Sequence, residues 1–144
     1  MDWTWYLFRF DGRINRAKFW LGTVVSYLAF LSVFFVGGTI SAATGLEPDE
    51  QSLWTLAIGL VLVVFFISCA LAVKRLHDRN KSGWWTLVLF ILPAVLQSAA
   101  PAGILGLLAM IIAGAISIWA LIELGFVEGT DGPNAYGPDP LRTA

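Results

Sequence analysis

Residues 53–85 read LWTLAIGLVLVVFFISCALAVKRLHDRNKSGWW. An uncharged run, 53–73, stops at Lys74-Arg75, and Arg79 and Lys81 follow within two turns. A run of this length matches the roughly 20 residues that a helix needs to cross a bilayer. A short loop dense in Lys and Arg marks the cytoplasmic side of such a span. The same pattern recurs upstream in mirror order. Arg9, Arg13, Arg16 and Lys18 precede a second uncharged run, Phe19 to Leu46, and the linker between the two runs carries only acids, Glu47, Asp49 and Glu50. Both basic clusters are therefore expected on the cytosolic face and the acidic linker outside.

The bulk numbers agree. The chain of 144 residues is 58% hydrophobic and only 13% charged, with a mean hydropathy of +0.75. A soluble domain carries about twice that charged fraction. One His and one Cys, Cys69, give neither a disulfide nor a zinc cluster, so no metal and no cofactor is expected. The run after Phe19 is far longer than a secretory h-region of roughly 7–15 residues, so the N-terminus is expected to be retained.

Downstream, Ser82 to Ile122 holds no charge and as one helix would run about 60 Å, twice the hydrocarbon thickness. It must fold back, and Gln97-Ser98-Ala99-Ala100-Pro101 is the only turn signal, with Pro93 shortening the first arm. The expected fold is all-α: a polytopic membrane bundle of four transmembrane helices, spans 20–43, 53–73, 84–96 and 102–122, in a single domain. A turn-rich tail, 123–144, follows, and both termini are placed in the cytoplasm. A re-entrant loop plus one span is the rival, and it would leave the tail outside. Trp20, Trp84, Trp85 and Trp119 fall at the expected inner interface and Trp54 at the outer one, where amphipathic rings collect.

Before the first span, Trp3, Trp5, Tyr6, Phe8 and Phe10 read as an interfacial aromatic segment, and Asn15 as the N-cap of the helix that enters the bilayer. Two sets of small residues suit close helix packing: Gly37-Gly38 with Ser41-Ala42, and Ala109, Ala113 and Ser117 at helical spacing. In the basic loop Asp78 stands i+3 from Arg75 and i+4 from Lys74, so it can offset part of the cluster. Glu123, at the inner end of the last span, is expected to reach the same loop. The tail, 128–140, is a run of turn formers from which Tyr136 is expected to dock on the loop.

Three segments carry a resemblance to a known family: FDGRINRAKFW at 10–20, KRLHDR with SGWW at 74–79 and 82–85, and GTDGPNAYGPDP at 129–140. The chain resembles domain-of-unknown-function family 805, small bacterial inner-membrane proteins, with Lys74-Arg75 where that family usually has two arginines. The resemblance implies an inner-membrane location and a multi-span helical fold, and it supplies no activity.

Function is weighed on the same residues. Carriers place ionisable groups within spans, and none lies at mid-depth here. Catalysis needs nucleophile, base and orienter within reach, whereas His77, Asp78 and Ser82 diverge on one helical turn. The expectation is a non-enzymatic lipid- or partner-binding membrane module acting through its cytoplasmic face. Arg13, Arg16, Arg75, His77, Asp78, Arg79, Trp84, Trp85 and Tyr136 are its candidate residues. Four cations in one loop repel one another unless an anion compensates, which points to anionic membrane lipids, a second copy or a membrane partner, and not to nucleic acid. An oligomeric channel or transporter for uncharged solutes is the first alternative and a membrane-embedded enzyme the second.

Overall fold

The computed structural model describes residues 2–45 and 49–142. Glu47 of the acidic linker lies outside the described residues. The chain is helical: α1 (Trp3–Phe8), α2 (Arg16–Thr44), α3 (Glu50–Asp78), α4 (Leu87–Ser98) and α5 (Ile104–Gly125). Apart from an isolated bridge between Asn134 and Gly137, the described residues contain no β-structure.

Local chemistry sets the boundaries. The Asn15 side chain accepts from the Lys18 N–H, which starts α2 where the sequence placed its cap. α2 ends at Gly45 in the left-handed region, φ 67°. The Asp49 carboxylate accepts from Ser52 N–H to open α3, and Asn80, at φ 55°, turns the chain after it.

Three of the four expected spans are helices of membrane-crossing length and apolarity, α2, α3 and α5. The remaining one is shorter: Leu87–Ser98 rises only about 18 Å at 1.5 Å per residue, against a hydrocarbon core of about 30 Å. Its first turn, Leu87–Ile91, is π-helical, with Leu92 N–H donating to Leu87 O. Pro93 has no N–H to offer the carbonyl four residues back, and the wider turn just before it absorbs that missing donor. The chain then reverses through residues 99–103, and α5 returns along α4.

The buried residues of α2 and α3 all lie toward the basic end. From 27 to 45 and from 49 to 66 no described position is buried, and Gly37 and Gly38 meet nothing within 4 Å. The expected packing role of Gly37 and Gly38 is therefore not realised within the chain, because the face of α2 that carries them meets no other atom of the described residues. In α5 the stripe is also shifted. Ala113 is fully buried, but its companions inward are Gly106 and Ala120, seven residues to either side, while Ala109 is half-buried and Ser117 is exposed. The face that meets α4 thus follows a seven-residue repeat rather than the four-residue spacing expected for Ala109, Ala113 and Ser117.

Two apolar clusters fasten the basic end. Ala72, Leu76, Leu89, Ala120 and Leu124 join α3, α4 and α5. Tyr6, Ile14, Ile67 and Leu71 join the N-terminal segment to α3, so the aromatic segment is a short helix packed through fully buried Tyr6, with Trp3, Phe8 and Phe10 exposed. The bundle is two hairpins, α2–α3 and α4–α5, closely packed at one end and parted toward the other.

Candidate functional site

Lys74 and Arg75, adjacent in sequence, close the ends of two different helices. Lys74 is fully buried, and its Nζ donates to Trp5 O (3.0 Å), Tyr6 O (2.6 Å) and Arg9 O (2.6 Å), carbonyls at the end of α1, of which Trp5 O also accepts from Arg9 N–H. It also lies 5.0 Å from the Trp5 ring centre, a cation–π approach. Arg75, equally buried, donates through Nε to Leu124 O (2.9 Å) and through its other nitrogens to Val127 O and the Asp78 carboxylate. The intervening carbonyls of α5's end are taken as well, Gly125 O by Trp20 Nε1 (3.1 Å) and Phe126 O by Arg16 (3.0 Å). A helix end leaves carbonyls without intrahelical partners, and cations beside them also oppose the helix dipole. Four consecutive carbonyls, Leu124 to Val127, are satisfied in this way by side chains from α2 and α3.

Asp78 is the centre of the arrangement. Arg13 approaches one of its oxygens from Nε (3.1 Å) and Nη2 (3.0 Å), and Arg75 takes the other. The remaining Arg13 donors reach the tail: Thr130 O (2.7 Å), Gly132 O (2.7 Å) and Gly137 O (3.2 Å). The backbone carbonyl of Asp78 accepts from Thr130 N–H at 2.8 Å. Gly129 has no room for a side chain, because a Cβ there would stand 2.1 Å from an Asp78 oxygen. One arginine thus ties the N-terminal segment, the end of α3 and the tail together. Both described ends of the chain consequently lie at the same end of the bundle, which is not the arrangement of the re-entrant alternative with its tail on the opposite side.

A second carboxylate serves the rest of the loop. Glu123, 5% exposed, pairs with both Arg79 and Lys81, as its position at the end of the last span led us to expect. Tyr136 docks as expected too, its ring stacked on His77 with centroids 3.8 Å apart and planes within 5°. His77 Nδ1 lies 3.2 Å from Gly12 O, so this nitrogen carries the proton, and its backbone carbonyl accepts from Asn134 Nδ2 at 2.9 Å. In the tail Asp139 accepts from Leu141 N–H (2.9 Å) and Gly132 N–H (3.1 Å), which hold its carboxyl below the usual range. The turn is therefore stabilised above the ordinary carboxylate pKa and loosens only as pH falls through the lowered value.

This geometry corrects part of the sequence reading. Arg13 and Arg75 were expected to hold anionic ligands, yet both are buried and their donors are spent on Asp78 and on carbonyl oxygens. Asp78, 3% exposed, offers nothing to a partner either. The compensating anions come from within the chain. Arg16 stays at the surface, paired with Glu128 at 3.0 Å, and Lys81 is partly accessible. Trp84 is 77% exposed, and Trp85 makes an edge contact with Trp119 at 5.7 Å. The expectation that Lys74 pairs with Asp78 also fails, since Lys74 points to α1. Among the described residues no group of His, Cys, Asp and Glu is arranged to hold a metal ion.

A family model described as "Protein of unknown function (DUF805)" matches residues 7–138. The uncharacterized protein YiiR of Escherichia coli K12 is 31% identical over 145 residues, covering 93% of this chain and 87% of YiiR. Inner membrane protein YhaI of the same organism is 30% identical over 132 residues, with 91% and 85% covered, and inner membrane protein YhaH is 28% identical over 145 residues, with 97% of each covered. No solved structure matches the chain. The chain belongs to the DUF805 family of membrane proteins, and Arg13, Arg75 and Thr130, which meet at Asp78, all fall within the matched residues.

Proposed function

We propose that this member of an inner-membrane family is a lipid-binding membrane module, in which the Arg13–Asp78–Arg75 network is a structural clasp and the cations left outside it grip anionic headgroups. One observation carries the reading: the clasp end of the bundle sorts its cations into two populations. Arg13, Lys74 and Arg75 are interior, whereas Arg9 and Arg16 remain at the surface and Lys81 is partly accessible, and Trp3, Phe8, Phe10 and Trp84 are exposed as well. Exposed cations together with exposed aromatic side chains are the composition of a helix-bundle face at the headgroup layer. Each accessible Lys or Arg near an anionic surface contributes on the order of 1 kcal/mol. The basic clusters on this face also support a cytoplasmic orientation for it.

Native mass spectrometry of detergent-solubilised protein given equal phosphatidylglycerol and phosphatidylcholine tests the gripping surface. Wild type is expected to retain phosphatidylglycerol preferentially, and Arg16→Gln/Lys81→Gln to lose that preference while still retaining phosphatidylcholine, with some fall in melting temperature because Arg16 also donates to Phe126 O and Lys81 pairs with buried Glu123. An unchanged preference in the variant would remove the headgroup reading. Orientation is checked separately in intact cells on a Cys69→Ala background. An impermeant thiol reagent is expected to label a cysteine placed at Ser52 and to leave one placed at Thr143 (outside the described residues) unlabelled. Labelling at Thr143 alone would invert the topology.

A further inference from the structure

We infer that the cleft between the two hairpins is a binding site for one acyl chain of a phospholipid drawn from the leaflet at the basic end. The inference rests on the lipid reading above and adds a second, apolar half to it. The cleft has a volume of about 590 Å³, is open rather than enclosed, and is walled by α2, α3, α4 and α5. That volume lies within the range of sites that enclose a small ligand, roughly 300–1,000 Å³. Its existence follows from the short, π-turned α4, which packs chiefly on α5 and leaves the space beside α2 and α3 unfilled.

Depth and lining select the occupant. Along α2 the wall runs from Phe19 to Phe30, about 16 Å at 1.5 Å per residue, which is half of the hydrocarbon core. The lining is predominantly apolar, with Val61, Phe65, Leu89 and Leu121 among its residues. The hydroxyls of Thr23, Ser68 and Ser117 all donate to carbonyls of their own helices, at 2.8–2.9 Å, so they ask nothing of a ligand. An open apolar cleft set along helices of membrane-crossing length faces hydrocarbon rather than water, and an extended chain is what the leaflet supplies. The mouth fits the other end of that molecule. Trp20 lines the cleft at its shallow end, and Arg16 stands four residues earlier on the same helix face. Arg16 is 46% exposed and bound to Glu128, itself 80% exposed, a surface pair that a phosphate can replace. Chain in the cleft and phosphate at Arg16 belong to one lipid.

The test fills the cleft from two walls. Ala94→Phe/Ser117→Phe places bulk at lining positions that are exposed to the cleft and lie outside both apolar clusters. In native mass spectrometry with dioleoyl phosphatidylcholine or dioleoyl phosphatidylglycerol, wild type is expected to hold one lipid of either kind. The filled variant is expected to lose at least about tenfold in retention of both, the equivalent of displacing two buried CH₂ groups. Arg16→Gln/Lys81→Gln is expected to lose only the anionic preference, so failure of the headgroup reading and failure of the cleft are separable. Unchanged retention in the filled variant overturns the cleft assignment. A measurement on wild type guards against a variant that does not fold: a phospholipid carrying a mid-chain diazirine should cross-link peptides 61–68 and 89–97 in excess of the bare faces 31–40 and 104–112. Equal cross-linking of all four overturns the assignment as well.

Discussion

Asp78→Asn is expected to destabilise the protein by about 3–5 kcal/mol, the cost of removing one partner from a buried ion pair and stranding the other. Here two guanidinium groups are stranded, since Arg13 and Arg75 share this carboxylate and neither reaches solvent. The amide that replaces it brings its own NH₂ group against one of them. Thermal unfolding in mild detergent measures the loss, and protease cutting within 128–140 reports whether the tail, tied through Arg13, has come away. Arg13→Gln in the same background should recover part of the loss, because a buried cation leaves with its anion, and the cycle yields their coupling. Full apolar replacement, Arg13→Met/Asp78→Leu/Arg75→Met, is not expected to restore stability, although such swaps are often neutral where charges only face each other. Thr130, Gly132, Leu124 and Val127 would be left with carbonyls that have lost their side-chain donor, and Gly137 O would keep only the Asn134 N–H. A triple variant as stable as wild type would mean that these carbonyls find water and that the ion pairs alone matter.

That difference between charges and caps is also where the sequence stops being readable. Membrane helices were legible because apolar length and flanking charge are properties of local windows, and α2, α3 and α5 fall where those windows put them. The Asn15 cap, the Asp78–Arg75 pair at i+3 and the turn-rich tail are local too, and each was legible for that reason. Lys74 and Arg75 were misread. In a linear chain they look like an ordinary positive-inside flank, and nothing within ten residues of either says that α1 and α5 end beside them. The signal that was present is the pairing of buried cations with helix ends rich in free carbonyls, and it becomes visible only once the helices are placed. The small-residue stripes failed for a related reason. Small residues permit close approach but do not say which face a neighbour will take, and the face of α2 that carries Gly37 and Gly38 meets nothing among the described residues.

Gly106→Ala is expected to be the most damaging single methyl that can be added to the spans. A Cβ at this position would lie 1.8 Å from the carbonyl oxygen of Pro101 and 3.0 Å from its carbon. Both atoms are backbone, in the turn that reverses the chain between α4 and α5, so no side-chain rotation relieves the overlap. Overpacking a core side chain costs about 1–3 kcal/mol because neighbours shift into other rotamers. Here the hairpin itself must open, and the expected cost lies above that range. Gly114→Ala supplies the control on the same helix, since nothing stands within 4 Å of its added methyl. By helix propensity alone that change should be neutral or stabilising by up to about 1 kcal/mol. Melting temperatures of the two variants in one detergent decide the matter, with Gly106→Ala well below wild type and Gly114→Ala at or above it. The cleft supplies a second reading of the same experiment. Its α4 wall is carried by the hairpin that Gly106 closes, so lipid retention in Gly106→Ala should fall with stability, while Arg16 and Lys81 keep their anionic preference at the surface. Equal melting temperatures would show that the 99–103 turn gives way cheaply, and the close approach of Gly106 to Pro101 would then not be what sets the α4–α5 pairing.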